Sequence, residues 1–221
     1  MDLLAGALLE RPPGPKYVSA LRYAELAPIA PLPKPTTLAR WRRELAPGFQ
    51  LGLRAPETCW RSPDGPFRPS DELERGLSWL AEALDALEAS VVVVATGAAV
   101  TTGARDRERL REYFARVPRA EGRVVVWRPA GLWEQELVQG MADSLSVVGG
   151  FDAIDDPAPR ADILYASLRA EGLRRSFPHA ELLEVLDKLE QSGASRAFVS
   201  IESDQSFREA QLLQSLSEGR V

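Results

Sequence analysis

Eight short apolar runs, each bounded by turn residues and most followed by a segment of helical spacing, constrain this chain more than any other feature. They span residues 3–9, 22–28, 49–55, 91–96, 123–128, 145–150, 163–168 and 196–201. The run Val91 to Val94 does not alternate with polar residues, and Val124 to Val126 repeats the pattern. That is expected of strands buried on both faces of a parallel sheet. Between the runs the period changes. Leu73, Leu77, Leu80, Leu84 and Leu87 recur at intervals of three and four, which predicts a helix over about 71–88. Leu38, Trp41 and Leu45 do the same behind the cap candidates Thr36 and Thr37, and Leu110, Phe114 and Val117 follow Asp106. Leu182, Leu186 and Leu189 stripe a helix introduced by Ser176, and Phe207, Ala210, Leu213 and Leu216 stripe the last one. Strands alternating with helices form either a closed barrel or an open doubly wound sheet, and eight strand candidates favour closure.

The expectation is therefore an α/β fold, a short (β/α) barrel of about eight strands occupying residues 1–221 as one domain. Its length of 221 residues falls slightly below the usual barrel of about 250. The stretch 151–162 carries Pro157, Pro159 and four aspartates, so strands six and seven should be joined by a loop rather than a helix.

Composition excludes several function classes. No stretch of about 18 apolar residues could span a bilayer, and the N-terminus opens with Asp2 rather than a basic export signal. Cys59 is the only cysteine, so there is no internal disulfide, in keeping with a cytoplasmic protein. A formal charge of −5 argues against a general nucleic-acid binder. One segment departs from it: Arg40, Arg42, Arg43, Arg54, Arg61 and Arg68 are interleaved with Trp41, Phe49, Trp60 and Phe67. A solvated basic face over core aromatics explains this better than nucleic-acid contact. With only His179 and Cys59 available, the chain lacks the imidazoles and thiolates of a zinc hydrolase, and no metal site is expected. Gly97 and Gly103 flank a post-strand loop but meet neither phosphate-loop nor dinucleotide spacing, so no cofactor is indicated.

Barrel enzymes and binding barrels place functional groups where strands end. That rule nominates Arg54, Cys59, Thr96, Arg128, Asp152, Glu202 and Asp204. Arg54 and Arg128 end strands three and five, close enough to share one mouth and hold a small anionic ligand through their planar forks. Asp152 joins them as a ligand-binding candidate. Glu202 and Asp204 are the candidate acid and base. Each has a plainer role open to it, in rim salt bridges and helix caps. Asp155 and Asp156 suit a turn better than a cation site, Ser176 and His179 suit a helix start better than a nucleophile pair, and Cys59 suits a buried inert thiol.

Pro33-Lys34-Pro35, Trp41-Arg42, Gly48-Phe49 and Arg54-Ala55-Pro56 have an order and spacing that resemble the domain of unknown function 72 family, also called YecE-like. Val124 to Pro129 followed by Trp133 is similar to that family's E-x-R-H-P segment, and Phe198 to Asp204 with Ala210 to its F-N-N-D region. The resemblance implies a TIM-like barrel of unsettled activity. Only Arg128 is kept outright. Val126 stands for the family's glutamate, Pro129 for its histidine, Ala95 to Gly97 for its Q-L-P, Glu202 and Ser203 for its paired asparagines, and Arg54 for its lysine. The segment from Ala24 to Ala30, where the family carries an acidic residue, is almost entirely apolar and reads as a lost polar site. These departures imply a divergent member with a binding or interaction role and little or no catalysis. The alternative is an enzyme acting on a phosphorylated or carboxylate substrate at the C-terminal face.

Overall fold

The computed structural model describes residues 1–219. Eight parallel strands form a closed ring: β1 (Asp2–Leu9), β2 (Tyr23–Leu26), β3 (Gln50–Arg54), β4 (Val91–Thr96), β5 (Val124–Pro129), β6, β7 (Ile163–Arg169) and β8 (Arg196–Glu202). Closure is made by β6, which is split at Gly150. Its first half, Val148–Gly149, pairs with β5, and its second half, Phe151–Asp152, pairs with β7. β8 then pairs with β1, which completes the ring. The helices are α1 (Pro15–Val18), α2 (Pro35–Arg43), α3 (Asp71–Ala86), α4 (Ala104–Phe114), α5 (Gln135–Leu145), α6 (His179–Gln191) and α7 (Ser206–Glu218). The architecture is the expected α/β TIM-like barrel.

Side-chain alternation divides the apolar residues into two clusters. Leu4, Tyr23, Val91, Val93, Val124, Val126, Tyr165 and Phe198 fill the barrel interior. Their sequence neighbours, among them Leu3, Leu51, Leu53, Val92, Val94 and Trp127, point outward into the larger cluster shared with the helices. α3 shows how a helix joins that layer. Ser70 caps it by accepting the Leu73 amide at 3.1 Å, and Asp71, Glu72 and Glu74 sit at the positive end of its dipole. Leu73, Leu77, Leu80 and Leu84 are buried along one face, each contributing about 1.5–3 kcal/mol.

Three local features differ from the sequence-based expectation. β6 starts three residues later than 145, because Leu145 ends α5 and Ser146 takes a left-handed φ of 53° that stops the helix. α2 begins at Pro35, so Thr36 and Thr37 lie inside its first turn instead of capping it. α6 begins after Pro178, which leaves Ser176 outside the helix start.

The connection between β6 and β7 is a loop, as expected. The partly buried ammonium of Lys188 on α6 holds it, donating to the carbonyls of Ala153, Ile154 and Asp156 at 3.0, 2.7 and 3.4 Å. A single cation thus anchors the loop that stands where a helix would pack. Another side chain fills the gap between β1 and β2, whose ladder starts only at the pair Leu8 and Glu25. Tyr17 Oη accepts from the Ala7 amide at 2.7 Å and donates to the Tyr23 carbonyl at 2.9 Å. Gly6 permits this close approach, since a Cβ there would lie 2.5 Å from the Tyr23 carbonyl oxygen.

Candidate functional site

The inward positions near the C-terminal ends of the strands are polar and charged, in contrast to the apolar layers beneath. Glu25, in the middle of β2, is fully buried. Its Oε1 accepts from Arg54 Nε at 2.8 Å, and its Oε2 accepts from Tyr165 Oη at 2.6 Å. Arg54 reaches on through Nη1 to Glu202 Oε2 at 3.3 Å, and Arg169 Nε approaches the same oxygen at 3.6 Å. Arg169 also pairs with Glu171 at 3.1 Å. Three carboxylates and two guanidiniums therefore form a chain from the floor of the mouth to its rim.

The energetics of this chain follow from burial. Desolvation alone would lower the Arg54 pKa, but the Glu25 charge, with Tyr165 and Glu202 behind it, reverses the effect and holds the guanidinium above its ordinary value. Burial first, and then the Glu25 charge, push the Tyr165 hydroxyl up, so it remains a donor to the carboxylate. Gly52, paired with Glu25 across the ladder, leaves room for the inward rings: a Cβ there would sit 2.4 Å from Tyr23 Oη.

Arg128, next to last in β5, lies on the same face and differs from its neighbours. Its Nε donates to Ser167 Oγ at 2.8 Å. Among the described residues no carboxylate lies within ion-pair distance of it. Gly150, at the break in β6, gives its side chain space, since a Cβ there would meet Arg128 Cβ at 3.1 Å.

Arg54, Arg128, Arg169 and Glu202 line a cavity of about 380 Å³ at this mouth, with Trp60 and Pro28 on its apolar wall. That volume lies within the range of small-ligand sites. Trp60 is placed there by the loop after β3. α3 can pack against this loop because Gly76 is small; a Cβ there would fall 2.2 Å from the Thr58 carbonyl oxygen. The three most exposed large apolar side chains, Ile29, Leu132 and Leu173, stand on the loops after β2, β5 and β7 at this same end.

The residues nominated from sequence separate into two groups. Arg54, Arg128, Thr96 and Glu202 line the mouth together. Asp204 lies outside the cavity, exposed and 4.0 Å from Arg175, so it does not pair with Glu202 as acid and base. Asp152 also lies outside it. Its Oδ1 accepts the amides of Ile154 and Asp155, an ordinary turn role, and Asp156 accepts the Asp152 amide. Cys59 is fully buried, and burial pushes its thiol up to about 12, which leaves it unreactive near neutrality. His179 is exposed at the first residue of α6. In the basic segment, Phe49, Trp60 and Phe67 are buried, and Arg40, Arg42, Arg54 and Arg61 pair with carboxylates. No group of three or more His, Cys, Asp and Glu able to hold a metal occurs among the described residues, and no helix among them is long and apolar enough to cross a membrane.

One expectation is overturned outright. The segment from Ala24 to Ala30 has not lost its polar site: Glu25 is the buried centre of the charged chain. The signal was a lone charge in an apolar strand, two residues from the inward Tyr23, with an arginine on the next strand two residues beyond its ladder partner Gly52. Arg169, Ser167 and Tyr165 were missed as well, although they occupy alternate positions of β7.

No family model matches the chain, and no curated protein matches it. Solved structures do. A DUF72 family protein from Enterococcus faecalis V583 superposes with a TM-score of 0.66 at 11% identity, over 99% of this chain and 98% of that one. A second structure of a DUF72 family protein from that organism gives 0.70 at 11% identity, over 97% and 95%. The chain has the fold of a DUF72 family protein. The DUF72-like barrel also superposes on SacUVDE, with a TM-score of 0.60 at 8% identity over 98% and 99% of the two chains. The likeness is one of fold; the charged mouth is described from this chain's own residues.

Proposed function

We propose that this DUF72-like barrel is a divergent family member, acting as a single cytoplasmic domain that binds a small ligand through a carboxylate or phosphoryl group, with little or no catalysis. The observation that carries this reading is the state of Arg128. Arg54 and Arg169 are already matched by Glu25, Glu202 and Glu171, whereas Arg128 brings an uncompensated guanidinium to the cavity with only neutral Ser167 as partner. A planar fork in a partly desolvated mouth favours a bidentate anion. The apolar wall, with Trp60, suits the body of such a ligand.

The weakness of the acid and base set supports binding over turnover. Glu202 is engaged by two guanidiniums, Asp204 lies elsewhere, and the one histidine is exposed at the first residue of α6 and does not line the cavity. Titration calorimetry with carboxylates and phosphate monoesters tests the proposal. Arg128→Met should weaken binding of any hit by about tenfold or more, the loss of one charge-assisted pair. Unchanged affinity in that variant would refute it. The alternative, an enzyme acting on the same anion, rests on Glu202 as proton carrier within the cavity. It requires turnover that Glu202→Gln abolishes while binding survives.

A further inference from the structure

A second cavity, of about 610 Å³, opens on the same face between the loops after β1 and β2. Pro28 lines both this cavity and the mouth, so the two spaces meet along one wall. Pro28, Ile29 and Pro31, which carry no side-chain hydrogen-bonding group, give the second cavity an apolar lining, and Trp41 adds an aromatic surface. Arg11 and Arg40 line it against one carboxylate, Glu10. Arg11 has no ion-pair or hydrogen-bond partner among the described residues. Arg40 has only Glu44 at 3.9 Å, with both side chains more than half exposed. A pair so exposed and so long contributes little and does not hold Arg40 back from a ligand.

We infer that the two cavities form one cleft for an elongated ligand with an anionic group at each end and an apolar or flat body between them. This rests on the reading of Arg128 as an anion site. One end sits at Arg128, the body crosses Pro28 with Trp60 and Trp41 on either side, and the other end reaches Arg11 and Arg40. The prolines make the crossing rigid, so little conformational freedom is lost when a ligand lies over it. Because the two anchors belong to one ligand, the second adds affinity as an intramolecular contact and does so only at lengths that span both. Length selectivity is therefore the signature of the cleft.

The experiment compares linear α,ω-dicarboxylates of increasing length with the ω-hydroxycarboxylates of equal length, with a parallel arm of α,ω-bisphosphates to separate carboxylate from phosphoryl recognition. Affinities are read by titration calorimetry. The expected result is a preferred length at which the dianion binds about tenfold more tightly than its hydroxy counterpart. Arg11→Ala/Arg40→Ala should erase that gain and leave the hydroxy ligand unchanged, while Arg128→Met weakens both. A dianion gain that persists in the Arg11/Arg40 variant, or the absence of a preferred length, overturns the cleft and leaves the Arg128 site standing. Insensitivity of the hydroxy ligand to Arg128→Met overturns the mouth itself, and absence of binding in both arms overturns both.

Discussion

Replacing Arg54 by methionine isolates the energetic core of the mouth. Glu25 is fully buried and has two partners, Arg54 at 2.8 Å and the Tyr165 hydroxyl at 2.6 Å. Arg54→Met keeps similar bulk and removes the counter-charge, so one neutral hydrogen bond is left to hold a buried carboxylate. Breaking one side of a buried pair costs about 3–5 kcal/mol. In a chain of this size about 2–4 °C of melting temperature accompanies each kcal/mol, so the variant should melt roughly 6–20 °C lower. Glu25→Gln introduced into Arg54→Met removes the stranded charge, while its amide oxygen still accepts from Tyr165. The double variant should recover about 1–3 kcal/mol of the loss. Chemical denaturation of wild type, both single variants and the double variant forms a cycle whose coupling should be at least about 1 kcal/mol. An Arg54→Met variant within about 0.5 kcal/mol of wild type, the size of an ordinary surface change, would refute the assignment of this pair as the structural floor of the site.

Three further outcomes follow from the same geometry. Gly6→Ala should destabilise by about 1–3 kcal/mol in denaturant titration, because its Cβ would meet a backbone carbonyl at 2.5 Å that cannot swing away. Lys188→Met should cost about 1.5–3 kcal/mol and raise amide exchange in residues 153–156, where it holds the carbonyls of Ala153, Ile154 and Asp156. Asp106 titrates below its ordinary value: its burial acts upward but is outweighed by hydrogen bonds from the Thr101 hydroxyl and amide and by Arg109 and Arg105. A depressed carboxylate stabilises the fold above its unfolded pKa, and that contribution fades as pH falls through the folded one. Asp106→Asn should therefore be about 0.5–1.5 kcal/mol less stable than wild type at pH 7, with the gap closing below about pH 4 in thermal melts.

The barrel was legible because its signals are local. Val91 to Val94 cannot sit in a half-exposed strand, and the leucines of α3 cannot be buried except on a helix. Element ends were less legible where a single backbone conformation decides them, as at Ser146, or where proline takes the first helical position, as in α2. Arg54, Arg128 and Glu202 were placed at one end of the barrel from the sequence because strand ends converge on one mouth, which all three line. Glu25 was not, since an apolar neighbourhood in sequence conceals a charge whose partners are 29 and 140 residues away. Asp152 and Asp204 show the converse: position at a strand end nominates a carboxylate, but a backbone turn or an exposed arginine can take it up.

The most direct test of the account is a crystal structure of the protein with a carboxylate or phosphate ligand that binds it. The account predicts an anionic oxygen about 2.7–3.1 Å from a guanidinium nitrogen of Arg128, with the ligand body against Trp60 and Pro28. A ligand seated away from the C-terminal mouth, with Arg128 still held only by Ser167, would contradict it.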